Sequence, residues 1–183
     1  MTGPEPLIQG VPTHDRDSVP APFESVYLEY GRVVHRYCLS RLLDPGLAEE
    51  VAAQALAQAF AAYQRTGPRP EATRGWLLRI ARNAVNDQLR RQRRHRHLLT
   101  ALYRARPDPP DPEREALVSR QLSLVLAAMR ELSERDRELI ALRAAAGLRY
   151  EEIGEQLGIS ENTATVATRR AIARLRSRVG EQL

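Results

Sequence analysis

The sequence predicts an all-α protein of two small helical domains joined by a proline-rich linker, with a helix-turn-helix in the C-terminal domain. Three features of the chain lead there. Apolar residues recur at steps of three and four along most of its length, with no alternating run of strand length. Prolines crowd two places, residues 1–22 and the stretch from Arg104 to Glu115. The latter, RARPDPPDPERE, can neither continue a helix nor pack a core. Near the C-terminus, YEEIGEQLGIS is followed at once by a basic helical segment, ENTATVATRRAIARLRSRV.

Composition bounds the partners. All 28 basic residues are arginine and face 23 acids, which leaves a net charge of +5 and a pI near 10.0. A polyanion is therefore a candidate ligand, and the placement of the arginines decides whether it is one. Cys38 is the only cysteine, so no disulfide within the chain is expected and nothing points to an oxidising compartment. No stretch has the apolar core of a signal peptide or the length of a membrane span, so a cytoplasmic protein without membrane insertion is expected.

Residues 1–21 lack periodicity and carry Pro4, Pro6, Pro12 and Pro20, which predicts a disordered tail. The first helical domain is expected over residues 22–98. Its first helix places Phe23, Val26, Tyr30, Val33, Val34 and Tyr37 at helical spacing, up to a break at Asp44-Pro45-Gly46. A second helix, Leu47 to Tyr63, sets Val51, Ala55 and Ala59 on one side and Glu49, Glu50, Gln54 and Gln58 on the other. The turn TGPRPEA ends it.

The third helix, GWLLRIARNAVNDQLRRQRRHRH, has two faces of opposite character. Leu77, Ile80, Ala81, Ala84 and Val85 form an apolar stripe, while Arg79, Arg82, Asn86, Arg90 and Arg93 follow steps of three and four opposite it. Five arginines fall between Arg90 and Arg96 with no acid among them, and such a run repels itself unless phosphate or solvent compensates. Trp76 beside this ridge suits either a core anchor or a platform for unpaired bases.

A linker is expected over residues 99–115 and a second domain over 116–183. Its first helix, Leu117 to Leu132, carries Leu122, Val125, Leu126 and Met129 as its stripe. Ser133 is placed to cap the next helix, with Asp136 in the capping-box position, and that helix ends near Gly147. In the final pair Ile153 and Leu157 make a buried stripe, Gly154 is small where a crossing helix must come close, and Gly158 and Ile159 make and plug the turn. Ser160 can cap the last helix. From that helix Asn162, Thr165, Val166 and Arg169 face outward, and Asn and Arg are side chains that read base edges and neutralise phosphate.

No catalytic or metal site is expected. His35 and Cys38 lie within a turn of each other, but no further ligand completes a set. The acid pairs Glu49-Glu50 and Glu151-Glu152 point apart on their helices, which suits solvation or partner contacts better than acid–base chemistry. No cofactor is called for.

WLLRIARNAVNDQLRRQRR and LSERDRELIALRAAAGLRYEEIGEQLGISENTATVATRRAIARLR, in that order with a proline linker between them, resemble the sigma-70 family of RNA polymerase sigma factors. The compact extracytoplasmic-function (ECF) type is the best match, and the resemblance runs from about Phe23 to Val179. It implies a non-catalytic subunit that binds bacterial core RNA polymerase, directs it to promoter DNA and helps open the duplex. Residues 22–98 would be the region 2 domain and 116–183 the region 4 domain. By position, Glu49, Glu50, Ala53 and Gln54 would bind core polymerase. Trp76, Arg79, Arg82, Asn83, Asn86, Arg90, Arg91 and Arg93 would hold and melt the downstream promoter element, Trp76 and Asn83 together with the loop Arg65 to Thr73. Asn162, Thr165, Val166, Arg169 and Arg170 would meet the upstream element. A cognate anti-sigma factor is an implied partner.

The chain departs from the family pattern at a few of these positions. Glu50 stands where aspartate is usual and Ala53 where glutamine is common. Thr165 and Ala167 replace residues that are often basic, and Ala164 replaces valine. A sigma-like adaptor, or a stand-alone helix-turn-helix regulator, is the alternative. The regulator would need the final helix pair but not the segment from Trp76 to Arg94.

Overall fold

The computed structural model describes residues 22–68, 72–102 and 120–181, and among them every regular element is helical. The tail, part of the turn after the second helix and most of the expected linker lie outside the described residues.

The N-terminal unit packs three helices pairwise: α1 (Phe23–Leu42), α2 (Pro45–Thr66) and α3 (Thr73–Leu102). The break between α1 and α2 falls at Leu43 and Asp44, earlier than the Asp-Pro-Gly signal suggests. Leu43 adopts the left-handed conformation (φ 58°) with its N–H on the Leu39 carbonyl, and the Asp44 carboxylate accepts from the Leu47 N–H at 2.8 Å. Pro45 then occupies the first helical position, where its missing N–H costs nothing, and Gly46 lies inside the helix. Val34, Tyr37, Cys38, Ala55, Ala59, Leu77, Leu78, Ala81 and Val85 are buried between the three helices. The alanines of α2 let the backbones approach closely. Burial pushes the Cys38 thiol up to about 12.

The C-terminal unit consists of α4 (Arg120–Arg130), α5 (Glu134–Ile140), α6 (Tyr150–Leu157) and α7 (Glu161–Glu181). On α4, Leu126, Ala128 and Met129 are buried, whereas Leu122 and Val125 of the expected stripe are exposed. Ser133 caps α5 by accepting from the Asp136 N–H at 3.1 Å. The other half of the expected capping box is absent because the Asp136 carboxylate is taken by Arg174 of α7, in a paired bond of 2.6 and 3.0 Å. α5 continues as a π-helical turn, Ala141–Ala145, that closes at Gly147 in the left-handed region (φ 68°).

The two units touch. α1 packs on α5 and on the π-helical turn, and the buried apolar residues of both units form one continuous cluster.

Candidate nucleic-acid interface

The final helix pair has the tight turn that its glycines predict. Gly158 ends α6 at φ 66°, a conformation that costs a side-chain-bearing residue but not glycine. A Cβ on Gly154 would stand 2.7 Å from the Ile159 carbonyl oxygen, so what comes close is the turn itself rather than a crossing helix. Ile159 donates its N–H to the Gly154 carbonyl at 3.0 Å, and the Ser160 hydroxyl accepts from the Thr163 N–H at 3.2 Å. Glu152 is employed locally, its carboxylate accepting from the Arg149 N–H at 2.6 Å.

This turn fixes the direction of α7. Ala164, Thr168 and Ala171 are buried against the rest of the unit, while Asn162, Val166, Arg169 and Arg170 are exposed. Thr165 is half-buried and spends its hydroxyl on the Glu161 carbonyl at 2.9 Å, so of the expected upstream-element residues it is the least available. A helix packed on its unit along one face, with an outward face that carries Asn162, Val166, Arg169 and Arg170, has the geometry that enters a major groove.

α3 is less simple than its helical wheel. Leu77, Ala81, Ala84 and Val85 are buried as the apolar stripe demands, with Ile80 half-buried, and Leu78, outside that stripe, is buried as well. Trp76 is half-buried and packs on Tyr63 at 6.1 Å, the last of an aromatic row in which Tyr63 meets Phe23 at 5.5 Å and Phe23 meets Phe60 at 5.3 Å. Trp76 is thus anchored on one side and open on the other. Asn83 lies two turns further along and is exposed, as are Arg79 and Arg91.

The remaining ridge residues have partners inside the chain. Arg90 pairs with Asp87 on its own helix, Arg82 with Glu138 at 2.7 Å, and Arg93 with Glu134. The Asn86 side-chain oxygen accepts from Arg41 at 3.2 Å. Sequence reasoning missed this second set of residues, Arg41, Glu134 and Glu138. Their signal was faint, because Arg41 in the last turn of one helix and Glu134 in the first turn of another are ordinary helix-end residues, and Glu138 is one more acid in a charged helix.

On α2, Glu49, Glu50, Ala53 and Gln54 are all exposed. Glu49 and Ala53 border an open groove of about 510 Å³ between α1 and α2, floored by Ala52 and Leu56 and flanked by Tyr27 and Phe60. Phe60 is 46% exposed, and on α1 Tyr27 is 53% exposed. The groove thus joins exposed apolar side chains to one acidic residue, Glu49. Among the described residues, no group of three or more His, Cys, Asp or Glu side chains is placed to hold a metal ion, and no helix is long and apolar enough to cross a membrane.

A helix-turn-helix at one end and an arginine-ridged helix at the other define a two-unit DNA-recognition protein. Comparison with known proteins makes the class specific. Residues 26–95 match the family model for Sigma-70 region 2, and residues 122–175 match that for Sigma-70, region 4. The chain is 37% identical over 155 residues to the ECF RNA polymerase sigma factor ShbA of Streptomyces griseus, an alignment covering 78% of this chain and 79% of that one. It is 31% identical over 172 residues to the RNA polymerase sigma factor CarQ of Myxococcus xanthus, covering 91% and 94%. Among solved structures, the sigma factor RpoE in complex with the anti-sigma factor NepR, from Bartonella quintana, shares the fold. Its TM-score is 0.67 at 23% identity over 86% of this chain and 96% of that one. CnrH, solved with the cytosolic domain of CnrY, aligns at a TM-score of 0.62 and 22% identity over 88% of this chain and 89% of that one. The chain belongs to the ECF group of the sigma-70 family of RNA polymerase sigma factors. As such it is a non-catalytic specificity subunit that directs RNA polymerase to promoters.

Proposed function

We propose that α2 docks on core RNA polymerase, that α3 holds and opens the downstream promoter element, and that α7 reads the upstream element. The observation that carries this is the presence in one chain of two separate DNA-suited faces, α7 with Asn162, Val166, Arg169 and Arg170, and α3 with Arg79, Asn83 and Arg91. A stand-alone regulator has use for only the first.

The groove beside Glu49 and Ala53 offers core polymerase an apolar floor with Glu49 at its edge. Ala53 contributes no hydrogen bond, so in this chain the contact rests on Glu49, Glu50 and Gln54. Once strands part, the open side of Trp76 stacks on a base and Asn83, on the same stripe, bonds to it. Duplex opening is then driven by better binding to separated strands than to paired ones, with no covalent step. The same polymerase-binding surface is available to an anti-sigma factor that holds the protein off in the cytoplasm until a signal arrives.

Reconstitution with purified core polymerase tests the reading. Start sites are first mapped after overproduction, and run-off transcription is then measured on those templates. A transcript that depends on both core and this chain is the expected result. A complex with core that leaves the template closed would make the chain an adaptor, and DNA binding with no polymerase-dependent start would make it a stand-alone regulator.

A further inference from the structure

The ridge of α3 is already occupied. Glu134 and Glu138 lie one helical turn apart on α5, and their carboxylates take Arg93 and Arg82 of α3. Two carboxylates so spaced on a helix present negative charge to the arginines much as successive backbone phosphates would. Around them, Arg41 at the end of α1 reaches across to the Glu134 carbonyl at 3.0 Å, Arg130 of α4 reaches the Leu43 carbonyl at 3.2 Å, and the Gln156 amide donates to the Gly75 carbonyl at 3.0 Å. Arg74 donates to the Ala146 carbonyl. The contact between the units is thus polar at its edge and follows α3 from Gly75 to Arg93, the length that carries the proposed downstream-element residues.

The contact is also imperfectly satisfied. Arg82 and Arg93 take the two carboxylates, while the Arg41 and Arg137 guanidinium groups beside them find only neutral oxygens, the Glu134 carbonyl and Asn86 amide for Arg41 and the Met129 and Arg130 carbonyls for Arg137. The Nε atoms of Arg41, Arg74 and Arg137 are buried without a hydrogen-bond partner. Arg137 is disfavoured as a cation by its burial and by the nearby charges of Arg41 and Arg93. Orphaned donors and surplus positive charge raise the energy of the closed arrangement and make it one that a polyanion can displace.

We propose that Glu134 and Glu138 form an electrostatic latch: they stand in for promoter phosphates on Arg82 and Arg93, hold the two units closed in the free protein, and release α3 when DNA outcompetes them. This rests on the reading of α3 as a DNA face. The closed form keeps Arg82 and Asn86 half-buried and holds the exposed Arg93 in an ion pair while leaving α7 exposed, so it lowers the affinity of the free protein for the downstream element without touching the upstream reader. If about nine molecules in ten are closed, the apparent affinity of the α3 face falls about tenfold.

The test is a distance measurement on the full chain. Fluorophores are placed on Gln58→Cys and Ala173→Cys, both exposed positions, in a Cys38→Ala background. Energy transfer is followed as salt is raised, for the parent, for Glu134→Gln/Glu138→Gln, and for the charge swap Arg82→Glu/Glu138→Arg. Affinity for a mixed-sequence duplex of about three helical turns is measured in parallel. A Glu24→Gln/Glu155→Gln variant, which removes two exposed acids away from the contact, controls for net charge. The expected results are that the glutamine pair opens at lower salt than the parent, that the swap closes again, and that the glutamine pair binds duplex about tenfold more tightly while the control changes much less. A glutamine pair that stays closed with the parent's salt profile overturns the latch. Opening with no gain in duplex affinity over the control leaves the joint real but overturns its masking role, and with it the reading of α3 as a DNA face.

Discussion

Gly154 and Gly158 sit four residues apart in α6 and its cap, and substitution by alanine separates two reasons for a glycine. At Gly154 the added Cβ meets the Ile159 carbonyl at 2.7 Å, which is backbone and cannot step aside. Gly154→Ala is expected to cost about 1–3 kcal/mol through overpacking. At Gly158 there is open space, and the penalty is the φ of +66° alone, about 1 kcal/mol. Urea denaturation of both variants should rank Gly154→Ala as the less stable, and the reverse order would place the close approach elsewhere. Both glycines were legible in the sequence from their spacing. What approaches Gly154 was not, because identifying it needs the path of the turn. Arg41 was illegible altogether. It is 4% exposed, yet in the sequence it is one more arginine in a chain whose 28 basic residues are all arginine.

The helices show where a periodic pattern suffices and where it does not. Ala164, Thr168 and Ala171 of α7 face inward because the turn at Gly158 and the Ser160 cap leave one way to pack the helix. Its outer face carries a prediction of its own. If Arg169 and Arg170 each neutralise one phosphate, replacing both by alanine lowers the slope of log affinity against log salt by about two on duplex carrying the upstream element. A slope equal to that of the parent would remove them from the interface. On α4 the pattern misled at Leu122 and Val125, since a helix of this length packs only along the strip its neighbours cover. The π-helical turn at Ala141–Ala145 has no signature in an alanine-rich run, and only its closure at Gly147 was anticipated. For α3 the two faces were legible but their occupancy was not: of the ridge, Arg82 and Arg93 are spent on α5.

At the scale of the whole molecule the two units behave as one body for as long as their contact holds. Arg41 joins three elements, α1, α3 and α5, through the Asn86 oxygen and the Glu134 carbonyl. Its removal forfeits two hydrogen bonds from a charged donor, about 2 kcal/mol or more, while each unit keeps its own core. Calorimetry of Arg41→Ala should therefore resolve two unfolding transitions where the parent gives one. A single transition at the parent temperature would show that the apolar part of the contact suffices without it.

Periodicity, the proline breaks and the glycine turn determined by themselves the helical class, the two-unit layout and the turn that leads into α7, because each of these depends on residues close together in the chain. The ordered pair of motifs, set either side of the linker, was enough to place it among sigma factors. Only the tertiary structure decided which arginines of α3 are free and which are held. Arg82 and Glu138 are 56 residues apart, Arg93 and Glu134 are 41 apart, and a charge whose partner is so distant reads in sequence as unpaired.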